Sequence, residues 1–333
     1  MSSKGPGTGK KKKTGDPAGS IAKSRREMIV NWCKSEVTHE RLTEMERTGL
    51  MPKDIAWRAP GSETRPTPGP GEVIVFVDHI IRGFRPPGSS FFRKVLAYYG
   101  LHPQDIPPNS VLNVTNFQVL CENYLQIEPD LDLFLEYFYC NKHPEIAGGP
   151  LIMCGAVSFQ RRKNIVYPAV PLASHPKMWQ RTFFYCKDTS PSGEKPLPGY
   201  RADRLVFDEK MRSFAEPAAR EKLVPLIRRV NALIVHGLTG LDLTKCWVKW
   251  HIQPLSIRNR LLCEYSGSST DAMRYSAKVP TDSELVKMLR LLVNTSKSSI
   301  LQTGLAPFSA LNPAPAVSNL SICNFFINQF SYF

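Results

Sequence analysis

The side chains best suited to chemistry in this sequence stand apart from one another. His79 follows Asp78, His102 and His143 each precede a proline, and His236 falls where a helix should end. None belongs to an HExxH pair or to any spacing that would put two metal ligands on one face. The eight cysteines, at positions 33, 121, 140, 154, 186, 246, 263 and 323, form no CxxC, and most sit in apolar surroundings such as Val119-Leu120-Cys121. Thiols placed this way pack as small hydrophobes. Gly5-Pro-Gly-Thr-Gly-Lys10 looks at first like a phosphate-cradling loop. The pattern needs glycine where Lys4 stands and a hydroxyl for magnesium where Lys11 stands, and no strand precedes it. Asp188-Thr189-Ser190 lacks the glycine of an aspartic-protease triplet, and GxSxG is absent. The residues therefore predict a protein without catalytic or metal-binding residues, without a cofactor and without a small-molecule ligand.

Charge says more. The formal net charge is +14, and residues 1–26 carry eight basic side chains against one acid, Asp16. Lys10, Lys11, Lys12 and Lys13, followed about ten residues later by Lys23, Arg25 and Arg26, have the layout of a bipartite nuclear-import signal. Nuclear residence is the expectation, with the cytoplasm as the alternative. Arg161, Arg162 and Lys163, at the expected tip of a hairpin after Phe159, are the candidate nucleic-acid contacts, because arginines on a turn can neutralise phosphates. Lys245-Cys246-Trp247-Val248-Lys249-Trp250 interleaves basic and aromatic residues too, but its tryptophans at i, i+3 read as core. No stretch approaches the ~18 uninterrupted apolar residues of a membrane span, so no membrane partner is expected.

The elements that must carry these residues read as helix-dominant α+β. Apolar residues make up 42% and charged residues 22%, ordinary for a globular chain, while 28 prolines interrupt it often. Residues 1–20 are expected to be a disordered basic tail. Residues 21–58 are read as an N-terminal helical segment, with an apolar stripe from Met28 to Met45. The Pro/Gly-rich stretch 59–72 reads as a linker. Residues 73–145 read as a compact helical subdomain: Ser89 caps a helix closed by Gly100, Pro108-Asn109 starts a second, and Asp130 a third over Leu131–Phe138. Val73–Val77, ahead of these, suits either a strand or a helix start. Residues 146–293 read as an α+β remainder. It holds a small antiparallel sheet from runs at 151–157, 164–167 and 179–186, helices over 218–235 and 242–250, and a capping box at 281–284. Residues 294–333 carry one charge, Lys297, and read as a disordered, aggregation-prone tail.

One set of landmarks is distinctive: Gly83-Phe84, Phe91-Phe92, Tyr99-Gly100-Leu101, Pro108-Asn109-Ser110, Phe117 and Cys121-Glu122, with fainter echoes between residues 28 and 290. The sequence resembles the gypsy-type transposon domain found in many proteins of grass genomes. That resemblance implies an origin in a plant long-terminal-repeat retroelement. The family's transposase label implies a DNA-transacting enzyme, yet no reverse-transcriptase motif, acidic triad or zinc knuckle is present. The landmarks instead read as scaffold: glycines for turns, Pro108-Asn109 for a helix start, aromatics for core. The expectation is a non-enzymatic structural or interaction protein that associates with itself or with nucleic acid. A transposase-like enzyme and a host-recruited DNA-binding protein are the alternatives.

Overall fold

A buried tryptophan sets the start of the fold. The computed structural model describes residues 32–47, 50–52, 55–125, 127–143, 153–173, 176–190 and 193–250. Trp32 packs among Phe76, Phe183 and Tyr200 at ring-centroid distances of 5.6–6.0 Å. The backbone after it is extended: Glu36 donates to the Arg181 carbonyl at 2.7 Å, and the Ser35 hydroxyl donates to the Phe183 carbonyl at 2.6 Å. These bonds hold residues 32–38 out of the helix expected over 21–58. Helix α1, His39–Arg47, begins only after Thr38, whose Oγ1 accepts from the Arg41 amide. Pairing along a neighbouring chain has overridden a helical stripe, as tertiary context often does.

Five strands form two antiparallel sheets. β1 (Trp57–Arg58), β2 (Glu72–Phe76) and β5 (Phe183–Lys187) make one in the order β1-β5-β2; β3 (Phe138–Lys142) and β4 (Val157–Arg161) make the other. β2 runs directly into helix α2, Val77–Ile81, so both readings of that apolar run are realised in succession. The stretch read as a linker is a loop across the first sheet. Arg58 pairs with Glu72 at 2.8 Å, the Thr67 amide donates to the Tyr185 hydroxyl, and that hydroxyl donates to Glu63 at 2.9 Å. Prolines prevent this segment from joining the sheet but not from being tied to it. Of the three expected β runs, 179–186 delivers β5 after a 3-10 turn, Trp179–Thr182. Residues 164–167 form no strand, and β4 pairs with β3 instead. Residues 161–163 therefore follow a strand end and are not a hairpin tip.

The remaining helices are α3 (Ser90–Tyr99), α4 (Pro108–Val119), α5 (Leu131–Tyr137), α6 (Pro217–Val235) and α7 (Gly240–Trp250), with a π-helical turn over Leu120–Leu125. Their starts follow the sequence closely. The Ser89 hydroxyl accepts from the Phe92 amide at 3.0 Å, and Asp130 accepts from the Leu133 amide at 2.7 Å. Gly100 closes α3 at φ 62°, where a Cβ would be strained. Stacked and edge-on rings of Phe91, Phe117, Phe134, Phe138 and Phe159 join α3, α4, α5, β3 and β4 at centroid separations of 5.0–5.8 Å. Burying each such ring contributes about 2–3 kcal/mol. α7 is tied to α4 by Asn116, which donates to the Thr244 hydroxyl at 2.9 Å.

The resulting architecture is α+β with helix dominant, and it corrects the division drawn at residue 145. β2 pairs with β5 and β3 with β4 across that boundary, and one hydrophobic core extends from Val37 to Trp247. No helix among the described residues is long and apolar enough to cross a membrane. The basic tail 1–20, the low-charge tail 294–333 and the capping box at 281–284 lie outside the described residues.

Candidate functional site

The sequence landmarks occupy the packed interior. Gly83 sits at φ 97°, and a Cβ there would lie 2.5 Å from Thr115 Cγ2, so only glycine fits where the end of α2 meets α4. Phe84, Phe91, Phe92, Tyr99, Phe117 and Cys121 are buried, and burial pushes the Cys121 thiol up, away from reactivity. Glu122 is buried within the π-helical turn. Pro108 opens α4 as expected. The Asn109 side chain does a different job from capping: it accepts from Arg82 Nε at 3.1 Å and donates to the Ala173 carbonyl at 2.8 Å. Arg82 also reaches Asp78, whose other oxygen accepts from Thr182.

The titratable groups in this interior serve structure. Burial raises the Asp78 carboxyl even though Arg82 pulls it down. His79 stacks on Trp179 at 5.3 Å and lies 3.2 Å from the Ile106 carbonyl; burial, helped by Arg82, lowers its pKa to about 3, so it is neutral at pH 7. Among the described residues no three His, Cys, Asp or Glu side chains group together to hold a metal ion.

The three candidate nucleic-acid contacts part company. Arg162 is only 8% exposed. Its guanidinium donates to the carbonyls of Leu135 at 2.7 Å and Arg212 at 3.0 Å, and also to that of Ser213. This corrects its assignment: a cation whose donors are spent on three carbonyls clamps α5 to the segment before α6 and has none left for phosphate. Arg161 and Lys163 are exposed and enter no ion pair among the described residues. The import residues Lys10, Lys11, Lys12, Lys13, Lys23, Arg25 and Arg26 lie outside the described residues.

Around Arg161 the fold gathers partners that sequence reading missed. Alternation along β3 and β4 puts Tyr139, Asn141, Ser158 and Gln160 on the face away from the core. The Tyr139 hydroxyl donates to Gln160 at 3.1 Å, and Arg212 donates to Asn141 at 3.1 Å. Beside this polar ladder Phe214, 41% exposed, carries two guanidinium groups over its ring, Arg162 at 3.7 Å and Arg220 at 4.5 Å from the centroid. Arg220 is exposed and pairs with Glu136 at 2.7 Å, and Arg212 pairs with Glu209 at 3.0 Å. The face thus joins free cations, paired arginines, an exposed ring and polar ladder side chains, the mixture that neutralises phosphates and stacks on bases. Arg212, Phe214 and Arg220 lie some fifty residues after Arg161, and no local spacing announces that they meet it. The one signal was the order Arg-x-Phe within 212–214, too common to single out.

Comparison with known proteins follows this geometry. No curated protein and no solved structure matches the chain. Residues 73–142, from β2 to the end of β3, match the family model described as "Putative gypsy type transposon", a narrower stretch than the resemblance drawn over 28–290 but one that holds all of its strongest landmarks.

Proposed function

We propose that this is a transposon-derived, non-enzymatic protein that associates with nucleic acid through the outer face of the β3–β4 ladder and the basic residues bordering it. The observation carrying this reading is the exposed Phe214 ring under two guanidinium groups, set beside Gln160, Tyr139 and the unpaired cations Arg161 and Lys163. Rings and guanidinium planes offer stacking surfaces to unpaired bases, while the cations take up phosphates. The gypsy-type transposon match over 73–142 supports a nucleic-acid setting for the protein. The basic clusters at 10–13 and 23–26 add a nuclear-import signal and nonspecific phosphate attraction.

The test is binding of fluorescent single strands to the full chain across a salt series. Affinity should fall with salt, and replacing Arg161, Lys163 and Arg212 together by alanine should make the slope of log K against log salt shallower by roughly 2, at about 0.7 per phosphate contact. Binding that the triple replacement leaves untouched would refute the surface. Metal-dependent strand cleavage or joining by the purified protein would favour the enzyme alternative, since such chemistry needs carboxylates holding metal. For import, a fluorescent fusion lacking residues 1–26 should fail to accumulate in nuclei.

A further inference from the structure

Behind the ladder face lies a cleft of about 300 Å³ between α5, α6 and the chain after β4. Ile165 and Ile227 line it with apolar surface, and Val166, 56% exposed, stands at its edge. The polar lining is unusual. Tyr137 Oη, Asn231 Oδ1 and Glu136 Oε1 are buried atoms that enter no hydrogen bond. Arg220 Nε lies 2.7 Å from that Glu136 oxygen, an ion-pair distance outside hydrogen-bond geometry. Buried polar atoms without partners are costly, and in a native fold they call for an explanation. Two of the three are pure acceptors, so a ligand that completes them must bring donors.

We infer that this cleft receives one unstacked nucleobase bearing an exocyclic amino group, adenine or cytosine, from a single strand lying on the ladder face. The inference rests on the proposed function and extends it to base preference. Glu136 links the two regions, since it lines the cleft while its partner Arg220 lies over Phe214 on the face. The volume suits one ring system, at the lower end of the roughly 300–1,000 Å³ of small-molecule sites. An amino group donates to carboxylate and amide oxygens, as cytosine N4 does to Glu and adenine N6 to Asn. Thymine and uracil present carbonyls at the same position, which would meet the acceptors without a proton between them.

The experiment measures anisotropy of labelled oligo-dA, oligo-dC and oligo-dT of equal length with the full chain at one fixed salt concentration. Oligo-dA and oligo-dC should bind roughly fivefold or more tightly than oligo-dT, the lower bound for one good base contact. Asn231→Leu and Tyr137→Phe should each reduce that preference while leaving oligo-dT affinity unchanged. Equal affinity for the three strands, or a preference that both variants leave intact, overturns the cleft assignment. If salt-dependent binding persists in that case and still responds to Arg161 and Lys163, the surface reading survives; absence of all binding overturns both. Thermal melts establish that the variants fold. Should Asn231→Leu fail to fold, Tyr137→Phe, which removes a single oxygen, and the wild-type base preference decide the matter.

Discussion

Adjacent arginines can have opposite roles when one side chain points inward. Arg162→Ala should destabilise the fold by about 3 kcal/mol or more, because three buried carbonyls lose their charged donor. Arg161→Ala should stay within about 0.5 kcal/mol of wild type, as expected of an exposed position. Urea denaturation of the two variants gives the comparison. If they are equally stable, the clamp described for Arg162 is wrong. His79 gives a pH signature. Its folded pKa of about 3 lies below the ordinary 6.5, so the unfolded chain binds the extra proton and stability drains away as pH falls from about 6.5 towards 3. Asp78 and Asp105, whose carboxyls burial raises, contribute in the opposite direction as pH falls. Comparison with His79→Gln separates the effects, since glutamine keeps a polar tip near the Ile106 carbonyl and does not titrate. The stability advantage of wild type over His79→Gln should shrink steadily between pH 7 and pH 4. A constant gap would mean that His79 is not held neutral.

For the elements, end chemistry and pairing are separate questions. Ser89 shows how a cap is woven into its surroundings: besides accepting from the Phe92 amide, its hydroxyl accepts from Gln118 Nε2 at 2.7 Å. Ser89→Ala should therefore cost about 2 kcal/mol, more than the typical ~1 for a lost cap, because buried Gln118 is left without that acceptor. A double-mutant cycle with Gln118→Leu checks it. The loss at Ser89 should be smaller when the glutamine is already gone; strict additivity would show the two side chains to be uncoupled. Helix starts at Ser90, Pro108 and Leu131 were legible because each depends on residues within one turn. β3 was not legible. Its five residues, Phe-Tyr-Cys-Asn-Lys, continue straight from α5, and only a partner fifteen or more residues away makes them a strand.

At the scale of the whole molecule, the stretch matched by the family model does not contain everything its own strands require. β2 needs β5 at 183–187, and β3 needs β4 at 157–161, both beyond residue 142. A fragment of residues 73–145 should be largely unfolded, with edges unpaired and Phe134 and Phe138 deprived of Phe159 and Tyr167. Circular dichroism and amide dispersion of this fragment beside the full chain would test the point. A cooperative melt of the fragment would show that the helices fold without the second sheet. The basic ladder face is likewise a product of the whole: Arg161 comes from β4, Arg212 and Phe214 from the segment before α6, and Arg220 from α6 itself.

Local chemistry determined much from the sequence alone: the helix-dominant α+β class, the helix caps, the buried aromatics and thiols, and the gypsy-type resemblance through its Gly-Phe, Tyr-Gly and Cys-Glu landmarks. Such features depend on a residue and its near neighbours, whose periodicity and end preferences the chain itself displays. Tertiary structure alone decided that residues 32–38 are extended, that 59–71 ties down a sheet, that Arg162 is spent inside, and that Phe214 lies under Arg162 and Arg220. Each of these depends on which distant backbone supplies the other half of a hydrogen bond or the other side of a ring, and a linear pattern carries no record of that partner.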